Sequence, residues 1–206
     1  MKESHQNIKF REPENIDELE SLFRLRYIVY SEDPVMKKLL HSSSPLDINR
    51  FDLNALHFAG FVGSIPVAYM RITTNAETHF TGWINTILEK NNIVLEQNST
   101  EYPFQSYCND EAWYGQFLSG LNGRKIGEVG RLAIHKEHRR GGAVLEDLIR
   151  SFIHYCKEEQ RFDTGFGSCT LLLERYYSKF GFTRAENAVP FTYKELPEAV
   201  IVRFDR

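Results

Sequence analysis

The sequence contains little cysteine and no long apolar run, and both absences exclude classes of protein. Its three cysteines are Cys108, Cys156 and Cys169. An odd number without metal-ligand spacing predicts neither a disulfide framework nor a zinc site, and a reducing compartment fits it best. No window approaches the roughly 18 apolar residues that a membrane span needs, and residues 1–9 lack the apolar run of a signal peptide. We therefore expect a cytoplasmic protein without a membrane span.

A large excess of either charge is also absent. The 25 Lys and Arg residues nearly balance the 28 Asp and Glu residues, so bulk attraction to nucleic acid is not indicated. A content of 42% hydrophobic and 26% charged residues is ordinary for a soluble globular protein. A chain of 206 residues can bury a sizeable core, and we expect a single domain over residues 1–206.

The most informative stretch is a strand, a charged turn and a helix in succession. These parts are Val129 to Ile134, Lys136 to Arg140, and Val144 to about residue 160. Gly141 and Gly142 stand where the helix begins. A helix start has amide groups without partners and a partial positive charge, and glycines let a ligand approach closely. The stretch therefore predicts an anion-binding turn, to which Arg139 and Arg140 add charge.

The remaining chain alternates between strand and helix patterns. We predict strands at 8–11, 56–62, 66–72, 166–170, 182–183 and 200–204, and helices from residue 16 and over 79–91, 110–118 and 171–180. Residues 91–107 are expected to be irregular, and about 75–124 form an insertion within the domain. This order predicts an α/β or α+β sheet with helices on its faces.

Two arginines lie within apolar patterns. Arg26 is on the edge of the apolar face of the first helix, and periodicity alone favours an arginine that snorkels to solvent. Arg71 lies near the end of a strand pattern and must be paired or lie at a rim. Between them, residues 31–47 read as a long loop of the kind that often binds ligands.

Two separated motifs resemble those of the GCN5-related N-acetyltransferase (GNAT) superfamily. The stretch Leu132 to Gly142 is similar to its strand, R-x-x-G-x-G/A turn and helix, with Arg139 and Gly142 at the first two motif positions. Val144 takes the third, where the family prefers Gly or Ala. The stretch from Tyr177 to residue 182 is similar to Y-x-K-x-G-F. The resemblance implies the GNAT fold, a central mixed, mostly antiparallel twisted sheet flanked by helices and splayed at its central strand.

The N-terminal half resembles a narrower group, the acyl-homoserine-lactone (autoinducer) synthases and the related N-acyl amino acid synthases. The residues that carry this likeness are Arg26-x-x-Val29-Tyr30 for R-x-x-V-F, Asn49 to Asp52 for D-x-[FY]-D, Arg71 at the end of a hairpin, and Glu128 to Arg131 for E-[LIV]-[ST]-R. Asn49 and Gly130 depart from these patterns. The likeness implies an enzyme, an acyltransferase with a medium or long acyl chain.

The resemblance further implies a thioester donor and no metal. The pantetheine arm would pair with the backbone of Leu132, Ala133 and Ile134, where an N–H group would polarise the carbonyl. The donor's phosphate would bind the backbone amides of the turn and of the helix start, which are those of Arg140, Gly141, Gly142, Ala143 and Val144. Arg139 would lie beside it. A branched Val144 crowds a pyrophosphate. We therefore favour an acyl-carrier protein over acyl-CoA, with Lys136, His138, Arg139 and Arg140 as its basic landing patch.

Glu128 and Tyr177 are the candidate catalytic residues. An apolar environment would raise the pKa of Glu128 into a range useful for a general base. The alternatives are an exposed strand-end carboxylate or a partner for Arg131. Tyr177 is implied as the group that protonates the leaving thiolate, with a core aromatic as the alternative. Cys169, in an apolar strand, is expected to be inert.

The charged residues of the N-terminal half form a further candidate group. Arg26, Arg71 and Arg131, with Asp47 and Asp52, are expected to form a network that either binds an acceptor carboxylate or holds the loop. Loop 31–47 and the aromatic residues around Trp83 and Trp113 would cover an acyl tunnel.

The predicted function is transfer of an acyl group from an acyl thioester to the amine of a small acceptor such as an amino acid. An acetyl-CoA-dependent acetyltransferase of a small amine or protein is a second interpretation. An inactive ligand-binding module of the same fold is a third.

Overall fold

A computed structural model describes residues 7–40, 44–75, 77–96, 101–108, 110–159, 162–193 and 197–205. The predicted helix end near residue 160 lies outside these residues, as do residues 76, 97–100 and 109 of the predicted insertion. Each described helix is too short or too polar to cross a bilayer.

The described strands form a seven-stranded sheet in the order β1-β2-β3-β4-β5-β7-β6. Their bounds are β1 Lys9–Arg11, β2 Ala55–Val62, β3 Ile65–Thr73, β4 Ile126–Ile134, β5 Thr164–Thr170, β6 Thr183–Arg184 and β7 Ala199–Asp205. Neighbouring strands are antiparallel, except that β4 and β5 run parallel. The mixed, mostly antiparallel sheet expected from the sequence is therefore confirmed.

Helices cover both faces of this sheet. Their bounds are α1 Ile16–Ser31, α2 Thr81–Lys90, α3 Glu111–Gly120, α4 Ala143–Glu158 and α5 Leu171–Tyr177. Two consecutive residues of β2 point to opposite faces. The ring of His57 meets Phe23 of α1, and the ring of Phe58 meets Phe152 of α4. The helices α1 and α4 therefore lie on opposite sides of the sheet.

The strand β4 parts from β5 before the middle of its length. Pairing between them runs from Ile126 to Glu128 and no further. On its other side, β4 shifts register against β3 between the pairs Arg71–Gly130 and Tyr69–Ala133. The bulge contains Arg131, whose φ is +53°. Because a bulge bends its strand and increases the local twist, β4 leaves β5 and opens a fork, as the predicted splay requires.

The start of β4 differs from the sequence prediction. The strand begins at Ile126 rather than Val129. The sequence pattern missed its first three residues because glycine and glutamate are not typical strand residues. A Cβ atom on Gly127 would lie 2.6 Å from the side chain of Ile72 and 2.7 Å from that of Phe162. Only glycine fits at position 127. Because the strand begins at Ile126, Glu128 lies inside the strand rather than at its head.

The segment between β3 and β4 packs on the sheet. These two strands are neighbours in the sheet, although residues 74–125 separate them in sequence. The part expected to be irregular contains a 3-10 helix, Pro103–Ser106. Tyr102 and Phe104 are buried there, and their rings meet Phe166 of β5 edge to face at 5.4 and 5.2 Å. The segment therefore reaches the fork itself.

We expect Gly167→Ala to destabilise the protein by about 1–3 kcal/mol, the usual cost of overpacking. A Cβ atom there would lie 2.5 Å from the carbonyl oxygen of Val129, across the fork. Urea unfolding measures the change. Gly130→Ala is the matched control, because a Cβ atom on Gly130 meets nothing within 4 Å. Equal unfolding midpoints for the two variants would contradict this account of the fork.

Candidate active site

Glu128 is a buried carboxylate held by two donors from another segment. Glu128 belongs to the strand β4, and 3% of its surface is exposed. The backbone N–H of Phe104 donates to Oε2 at 3.0 Å, and the hydroxyl of Tyr107 donates to Oε1 at 2.8 Å. The alternatives from the sequence, an exposed carboxylate or a partner of Arg131, are therefore wrong for Glu128.

Burial raises the pKa of Glu128 to about 7, against the bonds from Phe104 and Tyr107 and the charge of Arg71, which all lower it. Both donors to the carboxylate are neutral, so no ion pair cancels the cost of burial. A carboxyl group that titrates near neutral pH is well matched to proton transfer. The structure thus gives Glu128 the property that its candidate role requires.

Phe104 and Tyr107 are missing from the sequence prediction. Their contacts join positions that are 24 and 21 residues from Glu128 in the chain, and neither strand nor helix periodicity reports such contacts. The available signal was the density of aromatic residues around Pro103, which stands in the first turn of the 3-10 helix.

An open space adjoins Glu128 on the same face of the sheet. Glu128 lies opposite Thr73, and Gly130 lies opposite Arg71. These four residues share one face because alternate residues of a strand point the same way. A Cβ atom on Gly130 would meet nothing within 4 Å. Gly130, which departs from the synthase pattern, therefore leaves open space at its own position, on the face of the sheet that also carries Glu128 and Arg71.

A buried network of ionic bonds lies beside this space. Arg26 donates to Asp47 at 2.8 Å and to Asp52 at 2.6 Å, and all three side chains are fully buried. Arg71 donates to Asp52 at 3.3 Å and to Asn49 at 2.9 Å. The expectation that Arg26 snorkels to solvent is wrong, because its carboxylate partners come from a distant segment that helix periodicity does not show.

This network fixes the loop that precedes β2. Burial alone would raise the pKa of Asp52, but the charges of Arg26 and Arg71 outweigh it and lower that pKa below the usual range. The capping box of Asn49 and Asp52 closes the 3-10 helix Arg50–Asp52. The Nε atom of Arg71 is buried and has no hydrogen-bond partner among the described residues. The network thus holds the loop and leaves one N–H donor of Arg71 without a hydrogen-bond acceptor among the described residues.

Arg131 belongs to the same group. Its two terminal nitrogens donate to the carbonyl of Leu39, both at 3.1 Å, and it lies 3.5 Å from Asp47. Its guanidinium lies over the ring of Tyr30. Arg131 therefore ties the loop after α1 to the bulge of β4.

The predicted donor edge, Leu132 to Ile134, is the part of β4 that lies beyond the fork. Ala133 is buried against β3. The carbonyl of Leu132 accepts a bond from Tyr30 at 3.4 Å, and that of Ile134 accepts one from Arg139 at 2.8 Å. A donor that pairs with this edge would use its amide groups or displace these side chains.

The glycine turn leaves the first amides of α4 without a side-chain cap. Gly141 and Gly142 both have a φ of +72°, and a Cβ atom on either would meet nothing within 4 Å. Gly142 is the N-cap residue of α4 and makes no side-chain capping bond. Such a helix start is suited to an anion. Arg140 and Ala143 are exposed beside it.

Arg139 and Val144 of this turn differ from what the sequence predicts for them. Arg139 pairs with Glu32 at 2.8 Å, so part of its charge is neutralised at the end of α1. Val144 is half-buried and packs against the core. Part of its side chain is thus directed away from the turn, which reduces the crowding expected from the sequence.

Tyr177 ends α5 and is half-buried. Its ring packs against Phe182 with centroids 5.7 Å apart. Burial, with Cys169 nearby, raises its pKa, so the phenol keeps its proton at neutral pH. Burial also raises the pKa of Cys169 to about 11, which fits an unreactive thiol.

The tryptophans of the insertion lie among other aromatic residues. Trp83 packs against Phe80, and Trp113 stacks on Phe117. An acyl tunnel beneath them stays a prediction.

No family model matches the sequence, and no curated protein matches it. Solved structures are similar in fold. FeeM, an N-acyl amino acid synthase from uncultured soil microbes, is 16% identical over 97% of this chain and 91% of its own, with a TM-score of 0.53. An acyl-CoA N-acyltransferase from Pseudomonas aeruginosa is 13% identical over 96% and 98%, with a TM-score of 0.56.

A third similar structure is that of BjaI, a CoA-dependent acyl-homoserine lactone synthase solved with SAM and isopentyl-CoA. It is 14% identical over 96% of this chain and 82% of its own, with a TM-score of 0.58. At these identities the likeness concerns the fold. The chain has the GNAT fold, as its motifs predict.

We expect Asp52→Asn to destabilise the protein by about 3–5 kcal/mol at pH 7, because it leaves buried arginines without their counter-charge. Urea unfolding measures the loss. Asp52 has a lowered pKa, so its contribution is present above its unfolded pKa of about 3.9 and is lost as the pH falls further. Glu174→Gln is the control, since its pair with Arg184 is more exposed. Equal losses would contradict the structural role of the network.

We expect Glu128→Gln to be more stable than the wild type above pH 7. The pKa of Glu128 rises from 4.5 to about 7 on folding, so the folded state holds the proton more tightly and stability falls as the pH rises through that window. The substitution removes this cost, roughly 3 kcal/mol at about 1.4 kcal/mol per pH unit. Unfolding between pH 5 and 9 checks it. A variant that is less stable at pH 8 would refute the burial of an ionised carboxylate.

Proposed function

We propose that this protein is an N-acyltransferase that moves an acyl group from a thioester to the amine of a small acceptor such as an amino acid. The observation that carries the proposal is Glu128, a buried carboxyl group with a pKa of about 7 beside an open space at the fork. Such a group takes a proton from an ammonium ion near neutral pH, directly or through one water molecule.

The reaction needs three further events. The free amine attacks the thioester carbonyl and forms a tetrahedral oxyanion. A backbone N–H of β4 beyond the fork stabilises that oxygen, an effect worth roughly 3 kcal/mol in other acyl-transfer enzymes. The carbon–sulfur bond then breaks and the thiolate takes its proton from the neutral phenol of Tyr177. The acylated nitrogen gives up its extra proton, through water, to the Tyr177 oxygen, so the amide, the thiol and Tyr177 all end neutral.

The donor is held at its phosphate by the uncapped start of α4. Gly141 and Gly142 let a phosphate reach the first amides, and exposed Lys136 and Arg140 add positive charge. Both acyl-CoA and the phosphopantetheine arm of an acyl-carrier protein present a phosphate to such a turn. The half-buried Val144 weakens the argument against a pyrophosphate, and the structurally similar BjaI is a CoA-dependent synthase. We therefore include both donors.

The acceptor occupies the space at Gly130. Arg71 lies directly opposite Gly130 in the sheet register and has a buried Nε without a partner. A carboxylate on the acceptor could accept the hydrogen bond that this N–H group lacks, which favours an amino acid over a simple amine. The same geometry admits an acetyl donor, so the acyl chain length must be measured.

We expect the purified protein to form N-acyl amino acids when acyl-CoA or acyl-carrier-protein thioesters, from acetyl to long-chain, are combined with a panel of amino acids. Mass spectrometry detects the product, and a thiol reagent detects the released thiol. Glu128→Gln should lower the rate by about 10²–10⁴-fold, the usual contribution of positioned proton transfer.

The control is Glu111→Gln, an exposed carboxylate in the first turn of α3, which should keep the wild-type rate. Product formed only from acetyl-CoA would support the acetyltransferase. Absence of any acylated amine from the wild type, or full activity of Glu128→Gln, would overturn the proposal.

A further inference from the structure

The hydroxyl of Tyr107 contacts a second oxygen besides the carboxylate. It lies 2.8 Å from Oε1 of Glu128 and 3.3 Å from Oγ of Ser168. Ser168 lies on β5 two residues past the last pair with β4, and it is exposed. The three side chains thus form a continuous hydrogen-bonded path from a buried group to the surface.

We propose that Glu128, Tyr107 and Ser168 form a proton relay that carries the proton taken from the acceptor amine out to solvent. The inference rests on the proposed function, in which Glu128 is the base. Tyr107 and Ser168 act through Glu128 and are positioning residues, not catalytic ones.

A buried base needs such a path because it must release one proton in every turnover. Glu128 is 3% exposed. Of its two hydrogen-bond partners, the N–H of Phe104 can only donate. The hydroxyl of Tyr107 can donate and accept, so it is the partner through which a protonated Glu128 can pass its proton on.

The transfer balances as a concerted shift of three protons. The carboxyl proton passes from Oε1 to the Tyr107 oxygen, the Tyr107 proton passes to Oγ of Ser168, and the Ser168 proton passes to water. The hydroxyl groups of Tyr107 and Ser168 then rotate back to their starting orientation. Tyr107 and Ser168 end neutral, Glu128 ends as a carboxylate, and the water ends as a hydronium ion. No oxidant or second reactant is needed.

The ring of Tyr107 is fixed while its hydroxyl proton can rotate. The ring stacks on Phe191 with centroids 5.7 Å apart and lies 5.4 Å from that of Tyr193. Burial, followed by the charge of Glu128, raises the pKa of Tyr107, so it stays a neutral hydroxyl. The other groups that act on this pair are Arg71 from β3 and Tyr102 from the same segment. Neither of them bridges the carboxylate to the surface.

The test measures proton exchange at Glu128 without substrate. Carbon-13 relaxation dispersion of the Glu128 carboxyl carbon at its titration midpoint reports the exchange rate, with Glu128→Gln identifying the signal. Ser168→Ala and Tyr107→Phe should each slow this exchange by about tenfold or more. Tyr107→Phe should also raise the pKa of Glu128 by about one unit, because a bond to the carboxylate is lost. Ser168→Ala should leave that pKa unchanged.

Ser119→Ala and Tyr114→Phe are the matched controls on α3. Ser119 is exposed, and the ring of Tyr114 meets that of Phe104 edge to face. Exchange in Ser168→Ala as fast as in Ser119→Ala would overturn the relay. In the acyl-transfer assay, Ser168→Ala should lower the maximal rate without moving the acid limb of the pH profile. If the wild type transfers no acyl group while exchange is still slowed, the proposed function fails and the proton path stands.

Discussion

The partners of three buried carboxylates determine most of what this structure can do. Asp47, Asp52 and Glu128 are all removed from water, and a charge in such surroundings is costly unless it is compensated. The two aspartates form ion pairs with arginines and stay ionised, so their role is structural. Glu128 receives only neutral donors and keeps a pKa of about 7. Whether a buried carboxyl group of this site stays ionised or titrates near neutral pH therefore depends on its hydrogen-bond and ionic partners and not on its burial.

The fork places these two kinds of carboxylate side by side. The bulge at Arg131 turns β4 away from β5, and Gly167 allows the two backbones to stay close where they part. Arg131 also ties the preceding loop to the bulge through the carbonyl of Leu39. The space at Gly130 is thus bounded by a rigid ionic network on one side and by a separated strand edge on the other.

Most of the fold could be predicted from the sequence, because apolar periodicity and glycine turns are local signals. The helix α1 and the hairpin of β2 and β3 are examples, and the two motifs implied a mixed, mostly antiparallel sheet that is splayed at its central strand. The site was predictable only in part. Glu128 was found by its motif, but the partners of Arg26 and the two donors to Glu128 were not. These contacts join residues that are 21 to 26 positions apart, and no repeating pattern records them.

The pKa of the Glu128 carboxyl group depends on a segment that is separate from the strand that carries it. Phe104 and Tyr107 come from the insertion between β3 and β4, whereas Glu128 belongs to the central strand. The insertion can therefore change in sequence while the carboxylate stays in place. Exchange of that one segment would be a route by which the pKa of this carboxyl group changes while Glu128 itself stays the same.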